Sequence, residues 1–333
     1  MNVLRKFLLP FVPIYYFVTW CRNTLYNWGV ISSISYDFPV ICIGNLSVGG
    51  TGKTPMVEYV IRQLQERKNI AVLSRGYKRK TKGFLLANAQ HTASDLGDEP
   101  FQIFSKFKNI TVAVDGNRRE GIAQLKQRNP KPEVIILDDA FQHRKVQAGL
   151  NILLTAYDDL FYNDILLPTG NLREPISGKK RAQIIVVTKC PKQLSQKEKS
   201  AIINKISPLD HQSIFFSHIK YAEKMYNHKG GQDLSVLNHF TLVTGIAKPK
   251  PLINFLKSLG YRFEHLQYND HHEFSKEELN ELTQKKQILT TEKDFVRLKK
   301  EERLKEKLFY LPIEIDINEP REFNNLIHKF VNN

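Results

Sequence analysis

The residues best suited to chemistry form one glycine-rich segment between an apolar run and a helical pattern. Residues 38–45 (FPVICIGN) have the composition of a buried parallel strand, and the apolar residues of PMVEYVIRQLQERK share one helical face. Glycines let backbone N–H groups converge on phosphate oxygens, and a helix N-terminus favours negative charge. The pattern predicts a phosphate-binding P-loop made of Ser47, Val48, Gly49, Gly50, Thr51, Gly52, Lys53 and Thr54.

The last two side chains of this loop, Lys53 and Thr54, are suited to catalysis as well as to binding. Lys53 is expected to reach the β- and γ-phosphates of a nucleotide, and the Thr54 hydroxyl is expected to hold Mg²⁺. Ser47 stands where the usual pattern has its first glycine, so the match is imperfect. Three glycines remain to give the backbone its freedom. The loop therefore predicts ATP and Mg²⁺ as cofactors.

A pair of aspartates follows a second apolar run, PEVIILDD. Asp138 and Asp139 come where this run ends, as a metal-binding carboxylate does at the end of a strand beside a P-loop. Such a carboxylate holds Mg²⁺ directly or through water. The residue chemistry alone leaves open which of the two aspartates is the direct ligand.

These residues need a parallel sheet to position them, and the surrounding pattern predicts one. The apolar runs at 151–158 and 182–189 add two parallel strands. The fold class is therefore α/β, with a P-loop NTPase-type parallel sheet and helices on both faces. Pro191 stands where the motif that reads guanine has its aspartate, which favours ATP over GTP.

The chain is predicted to have four parts. A polar stretch with a Gly-Gly pair reads as a connection, and strand and helix patterns alternate after it, which indicates a second, smaller α/β lobe. The parts are an N-terminal hydrophobic helical segment (1–36), a P-loop core (37–220), a linker (221–236) and the smaller lobe (237–333).

The N-terminal segment has a long apolar and aromatic stretch. Phe7 to Trp20 carries no charge and basic residues flank it, but it is shorter than the ~20 apolar residues of a spanning helix, and two prolines interrupt it. Aromatic residues beside basic ones are typical of a helix lying in a membrane interface. The alternative is packing against the protein's own core.

The overall charge narrows the class of partner. The chain of 333 residues carries 49 Lys and Arg against 34 Asp and Glu, a net charge of +15, which suits a phosphorylated substrate or an acidic membrane surface. No zinc-finger spacing or RNA-binding aromatic strand is present, so nucleic acid is not expected as a partner. Three dispersed cysteines form no disulfide framework or metal-ligand pattern.

Six motifs occur together in one order along the chain. They are SVGGTGKTP, GDEP at 97–100, LDDAFQH, NLREP at 171–175, DHH at 270–272 and TEKD at 291–294. The set resembles the tetraacyldisaccharide 4′-kinases, the lipid A 4′-kinases of Gram-negative bacteria, from about residue 38 to 298. The resemblance implies ATP-dependent phosphorylation of the 4′-hydroxyl of a tetraacyl glucosamine disaccharide 1-phosphate, which gives lipid IVA.

The same resemblance implies where the enzyme acts. Family members attach peripherally to the cytoplasmic face of the inner membrane, and here residues 1–30 would make that attachment. The lipid-linked disaccharide is then the substrate, and no obligate protein partner is implied.

The resemblance also assigns roles to particular residues. It makes Asp98 the catalytic base, paired with His271, and adds Glu174 to Asp138 and Asp139 as a magnesium ligand. A carboxylate near a sugar hydroxyl and a histidine that orients it agree with this assignment. From chemistry alone His272 is as plausible as its neighbour.

Some assignments rest on the residues themselves. Asp98 could instead cap the helix that EPFQIFSKF predicts. Arg173 is a candidate for stabilising transition-state charge. Arg75, Arg118 and Arg119 are candidates for phosphate contact, because a guanidinium binds phosphate in a bidentate manner.

Two other functions fit parts of the sequence. One is a different P-loop kinase or ATPase, and the other is a nucleotide-switched membrane-binding module. The apolar N-terminus argues against a soluble metabolic kinase. The separate GDEP and DHH motifs favour chemistry on an acceptor hydroxyl over a conformational switch.

Overall fold

A computed structural model describes residues 3–270 and 272–333, with side chains from residue 5 onward. The helices are α1 (Val3–Lys6), α2 (Val12–Asn27), α3 (Lys53–Leu64), α4 (Ala93–Leu96), α5 (Asp98–Lys106), α6 (Arg118–Lys126), α7 (Gln196–Ile206), α8 (Lys250–Ser258), α9 (Lys276–Thr283), α10 (Glu292–Leu298) and α11 (Pro320–Asn332). The first strands are β1 (Val40–Asn45), β2 (Ile70–Ser74), β3 (Leu85–Leu86), β4 (Thr111–Val114), β5 (Val134–Asp138), β6 (Leu150–Ala156), β7 (Ile184–Thr188) and β8 (Ser213–Tyr221). The remaining strands are β9 (Lys224–Asn227), β10 (Gly230–Asp233), β11 (Phe240–Thr244), β12 (Phe263–Gln267), β13 (Ile288–Thr290), β14 (Leu308–Tyr310) and β15 (Ile313–Ile317).

The larger sheet has nine strands among the described residues, in the order β15-β8-β7-β6-β1-β5-β2-β4-β3. The strands from β8 to β4 pair in parallel, and β15 and β3 close the two edges in antiparallel pairing. Every residue of β1 is buried, as expected of a central parallel strand with both faces covered. This architecture confirms the predicted α/β fold class.

Helices cover both faces of the larger sheet. The apolar residues of α3, α5 and α11 form one buried cluster with Ile41 and Ile43 of β1. The residues of α6 and α7 form a second buried cluster with Val40 and Cys42. Because side chains alternate along a strand, these two sets lie on opposite faces of the sheet.

The smaller sheet has the order β10-β9-β14-β13-β11-β12. Its strands β12, β11, β13 and β14 are parallel, and β9 and β10 form an antiparallel hairpin at one edge. The smaller lobe is thus the second α/β unit that the strand and helix patterns predicted.

The predicted boundaries of the parts differ from the sheet topology in two places. The β9–β10 hairpin occupies the stretch 221–236, which was predicted to be a linker. Residues 313–332 were assigned to the smaller lobe, but β15 pairs with β8, and Phe323 and Ile327 of α11 are fully buried in the larger core. The chain returns to the larger lobe because the apolar face of α11 is buried there against α3.

A buried carboxylate lies between α3 and α5. Glu58 is 1% exposed and accepts hydrogen bonds from Gln102 Nε2 (2.9 Å) and Lys106 Nζ (2.6 Å). Lys106 also pairs with Glu292 of α10 at 2.8 Å, so this cluster ties the larger lobe to the smaller one. Burial opposes the charge of Lys106, but Glu58 and Glu292 raise its pKa overall.

We expect Glu58→Ala to lower the free energy of unfolding by about 3 kcal/mol, because removing one partner leaves buried donors without their acceptor. Urea denaturation followed by circular dichroism measures the loss. The matched control is Glu66→Ala, at an exposed position just after the same helix. That variant should stay within about 0.5 kcal/mol of the wild type. Equal unfolding midpoints for the two variants would contradict the structural role of Glu58.

Candidate active site

The candidate site lies at the carboxyl edge of the larger sheet. Four strands end on a polar residue there, namely Asn45 of β1, Ser74 of β2, Asp138 of β5 and Thr188 of β7. The carboxyl ends of parallel strands meet at one edge of a sheet, which is where ligands bind in open α/β folds. The fold therefore collects these side chains beside the loop that follows β1.

The predicted P-loop connects β1 to α3. Gly49 and Gly52 have φ of 111° and 85°, a conformation that glycine adopts without strain, and Gly52 caps the N-terminus of α3. The end of β7 supports this loop, because Thr188 Oγ1 donates to the Thr51 carbonyl oxygen at 2.7 Å. The next residue, Lys189, donates to the Gly50 carbonyl oxygen. The sequence pattern gave no sign of this support.

Lys53 points toward the carboxylates at the end of β5. Its Nζ lies 3.8 Å from Asp139 Oδ2 and 3.4 Å from Asn45 Oδ1. Thr54, in the first turn of α3, is buried. The predicted P-loop lysine and the predicted aspartate pair are thus brought together.

The two aspartates have different environments. Asp138 is buried; its Oδ2 accepts a hydrogen bond from Ser74 Oγ at 3.2 Å, and its Oδ1 has no hydrogen-bond partner among the described residues. Desolvation, followed by the charge of Asp139, raises the pKa of Asp138 to about 6. A buried acceptor without a partner and with a raised pKa fits a divalent cation, which would satisfy the oxygen and favour its ionised form.

Asp139 instead forms ion pairs with Lys53 and Arg173. Arg173 binds it through both terminal nitrogens, at 2.8 and 3.3 Å. Burial opposes ionisation of Asp139, but the charges of Lys53 and Arg173 lower its pKa. The described contacts therefore favour Asp138 over Asp139 as the direct metal ligand, a choice that the sequence left open.

The segment that carries Arg173 runs beside the start of the P-loop. The Val48 N–H donates to the Asn171 carbonyl oxygen (2.8 Å), and the Arg173 N–H donates to the Leu46 carbonyl oxygen (2.7 Å). The Arg173 guanidinium also donates to the Asn45 carbonyl oxygen at 2.9 Å. Backbone and side chain together place this cation next to Lys53 and Asp139.

Glu174 is surrounded by hydrogen-bond donors. Its Oε1 accepts from Arg181 Nη2 (2.7 Å) and Gln142 Nε2 (3.0 Å), and its Oε2 accepts from Asn23 Nδ2 (3.0 Å). These contacts use both oxygens to hold neighbouring segments together. The role of Glu174 as a magnesium ligand stays a prediction. The described contacts show a carboxylate that joins three neighbouring segments beside Arg173.

Asp98 lies where the two lobes meet. It is the first residue of α5, and Gly97, with φ of 92°, takes the capping position that the sequence offered as an alternative role for Asp98. Arg297 of α10 donates to Asp98 Oδ2, and Lys293 of the same helix pairs with Glu99 at 2.7 Å. The GDEP and TEKD motifs therefore meet across the lobes.

The two candidate histidines have different standing. His271 lies outside the described residues, so its pairing with Asp98 stays a prediction. His272 Nε2 lies 2.8 Å from Glu278 Oε2, and its ring stacks on Tyr268 with centroids 4.7 Å apart. These contacts occupy His272 within its own lobe, and the choice of His271 over His272 stays a prediction.

The three arginines predicted as candidates for phosphate contact differ in burial. Arg118 is 2% exposed, and it donates to the carbonyl oxygens of Asp115 (2.6 Å) and Asp138 (3.3 Å), so it supports the end of β5. Arg75 and Arg119 are exposed and remain candidates for substrate contact.

The strand, P-loop and helix, the buried aspartate and the convergent lysine and arginine define a P-loop phosphotransferase. The family model described as tetraacyldisaccharide-1-P 4′-kinase matches residues 4–332. The chain therefore belongs to the tetraacyldisaccharide-1-P 4′-kinase family. This confirms the resemblance and the enzyme class that the motifs predicted.

Individual relatives agree with the family assignment. A tetraacyldisaccharide 4′-kinase of Flavobacterium johnsoniae is 49% identical over 99% of this chain and 98% of its own length. One from Bacteroides thetaiotaomicron is 43% identical over 98% and 93% of the two chains. The crystal structure of LpxK from Aquifex aeolicus in complex with ATP has a TM-score of 0.79 and 31% identity, covering 99% of this chain and all of that one.

Proposed function

We propose that this chain transfers the γ-phosphoryl group of ATP to the 4′-hydroxyl of a tetraacyl glucosamine disaccharide 1-phosphate, giving lipid IVA. The observation that carries the proposal is the cluster of Lys53, Asp139 and Arg173 beside the P-loop, in a chain that matches the kinase family over residues 4–332. In the reaction the 4′-oxygen forms a bond to the γ-phosphorus, the bond to the β,γ-bridging oxygen breaks, and ADP leaves.

Acceptor-dependent ADP release tests this function. The full chain is mixed with ATP and Mg²⁺ in detergent micelles, with and without the tetraacyl disaccharide 1-phosphate. We expect ADP release at least about tenfold faster with the lipid, since positioning an acceptor hydroxyl lowers the barrier to transfer. The same rate with and without lipid would indicate an ATPase, one of the two alternatives that the sequence left open.

Thr54 and Asp138 are the residues best suited to hold Mg²⁺. The buried Asp138 Oδ1 has no partner among the described residues, and Thr54 begins the helix after the P-loop. The ion would neutralise charge on the β- and γ-phosphate oxygens when bound. Asp139 and Glu174 support the site, the first by holding Arg173 and the second by holding Arg181.

Lys53 and Arg173 supply the fixed positive charge. Both lie within 4 Å of Asp139, which keeps their side chains in one place before the nucleotide binds. Fixed cations stabilise the charge that spreads over the transferred phosphoryl group, and they need no rearrangement during the reaction. The P-loop backbone from Ser47 to Thr54 binds the remaining phosphate oxygens.

Asp98 is the group that accepts the proton of the 4′-hydroxyl, with His271 as its partner. Its side chain is 19% exposed at the boundary between the lobes, so an acceptor entering there can reach it. Arg297 of α10 donates to Asp98 Oδ2 and so fixes the position of this carboxylate. In this proposal the acceptor hydroxyl enters at the boundary between the lobes, where α5 contacts α10.

The N-terminal helices present an apolar surface for a lipid bilayer. Large hydrophobic side chains there are between 44% and 76% exposed, namely Phe7, Leu9, Phe11, Ile14, Phe17, Val18, Trp20 and Trp28. In the described part of the chain no helix is long and apolar enough to cross a membrane. Residues 1–30 would therefore attach the enzyme peripherally to the cytoplasmic face of the inner membrane, where its lipid substrate resides. Neither nucleic acid nor an obligate protein partner belongs to this proposal.

The double substitution Phe7→Ser and Phe17→Ser tests the attachment. The two rings are 76% and 61% exposed, so their removal should leave the fold intact. We expect the vesicle partition coefficient to fall at least about tenfold, because each buried aromatic ring contributes about 1.5–3 kcal/mol. Sedimentation with vesicles of anionic phospholipid measures it.

The matched control for this experiment is Leu259→Ser. Leu259 is 51% exposed in the smaller lobe, so the change removes a similar apolar side chain away from the N-terminal helices. Its vesicle binding should equal that of the wild type. If the double variant also binds like the wild type, residues 1–30 do not make the attachment.

A further inference from the structure

Helix α2 has a second face that contacts the phosphoryl-transfer site. While Ile14, Phe17 and Val18 are exposed, Tyr15 packs against the core beneath the larger sheet. The Tyr15 hydroxyl donates a hydrogen bond of 2.9 Å to the carbonyl oxygen of Arg173. The helix that presents the apolar surface therefore also touches the residue proposed to stabilise the transferred phosphoryl group.

This contact is one of several along the same segment. Asn23 of α2 donates to Glu174 Oε2 at 3.0 Å, one residue beyond Arg173. Arg5, at the end of α1, donates to the carbonyl oxygen of Pro168 (3.0 Å) and to Asn171 Oδ1 (2.9 Å). The N-terminal helices thus hold the segment 168–174 at both of its ends.

The backbone of Arg173 is fixed from two directions. Its N–H donates to the carbonyl oxygen of Leu46, just before the P-loop, and its carbonyl oxygen accepts from Tyr15. The guanidinium then reaches Asp139 and the Asn45 carbonyl oxygen, both within 3 Å. An arginine side chain has several rotatable bonds, so a fixed backbone limits where its charge can lie.

We propose that Tyr15 is a positioning residue that acts through Arg173. Its hydroxyl anchors the backbone of that arginine to the membrane-facing helix, so the cation is already in place when ATP and the lipid acceptor bind. The inference rests on the proposed function, in which Arg173 stabilises the transferred phosphoryl group. A residue that positions the catalytic arginine would then lie on α2, the helix proposed to contact the bilayer.

Tyr15→Phe is the variant that tests this role, since it removes the hydroxyl and keeps the ring in its packing site. We expect kcat for lipid phosphorylation to fall about fivefold to tenfold, while KM for ATP and for the lipid stay within about twofold. The matched control is Tyr261→Phe, the same change in the smaller lobe, where the ring packs partly buried against that lobe's core. That variant should keep the wild-type kcat.

A double-mutant cycle with Arg173→Ala separates positioning from general damage. If Tyr15 acts through the arginine, Tyr15→Phe should change kcat less than about twofold in the Arg173→Ala background. The same fivefold loss in both backgrounds, or wild-type kcat in the single variant, would overturn the proposal. The wild-type chain is assayed first, and absence of lipid phosphorylation there would reject the proposed function before any variant is compared. Thermal unfolding midpoints that match the wild type show that each variant is folded.

Discussion

Lys53→Ala is expected to abolish phosphoryl transfer, with kcat at least about a thousandfold below the wild type. The Lys53 ammonium group stands between Asn45 and Asp139, at the C-terminal edge of the parallel sheet and at the start of α3. Alanine removes a fixed positive charge at the place where the transferred group carries its negative charge. Steady-state lipid phosphorylation at saturating ATP measures the effect.

The control for this variant is Lys68→Ala. Lys68 lies just beyond the same helix and pairs with Glu133 at 3.7 Å on the surface, so the control removes an equal charge away from the site. It should keep the wild-type kcat within about twofold. A Lys53→Ala enzyme that retains more than a tenth of the wild-type kcat would show that this P-loop does not serve the reaction.

Asp98→Asn is expected to lower kcat by about a hundredfold to ten-thousandfold, while KM for ATP changes little. The asparagine keeps the shape of the side chain but cannot accept the proton of the 4′-hydroxyl. In the proposed mechanism Asp98 acts on the acceptor, whereas Lys53 and Thr54 contact the nucleotide and its Mg²⁺, so the change should leave the nucleotide contacts intact. Measuring kcat and KM for both substrates separates catalysis from binding.

An ion pair offers a second explanation for such a loss, and Arg297→Ala tests it. Arg297 pairs with Asp98 across the lobes, so either substitution removes that ion pair. If Asp98 serves only to hold the lobes together, the two variants should lose activity equally. If Asp98 is the base, the Asp98→Asn enzyme should lose at least about tenfold more activity than the Arg297→Ala enzyme.

The parts of the site that could be predicted from sequence are those coded locally. The P-loop from Ser47 to Thr54 lies between a strand and a helix, and the whole unit spans about 25 residues. The strand and the helix each have their own hydrophobic periodicity. Asp138 could be predicted because an apolar strand ends on it. The parallel sheet followed from repeated apolar runs, since buried parallel strands have few other patterns.

The contacts that join distant segments could not be predicted in this way. Tyr15 meets Arg173 across 158 residues of chain, and Asn23 meets Glu174 across 151. Neither tyrosine nor asparagine in an apolar helix has a pattern that names its partner. Only the folded arrangement shows that the N-terminal segment supports the site in addition to facing outward.

The boundary of the smaller lobe is a similar case. Strand and helix patterns continue through β14, β15 and α11 without a break, so the sequence indicates one unit up to residue 333. The return to the larger sheet depends on which surface accepts Phe323, and that surface comes from α3 and β8, where Tyr59 and Phe215 contact its ring. Pairing between distant surfaces is a property of the fold.

The most direct test of the whole account is the position of the phosphate on the product. The full-length protein is incubated with ATP labelled at the γ-phosphate, Mg²⁺ and the tetraacyl disaccharide 1-phosphate in detergent micelles. The product is then analysed by phosphorus NMR and mass spectrometry. We predict one new phosphate monoester on the 4′-oxygen, with one ADP formed for each lipid labelled. ATP consumption without labelled lipid, or label added to the existing 1-phosphate, would contradict the account.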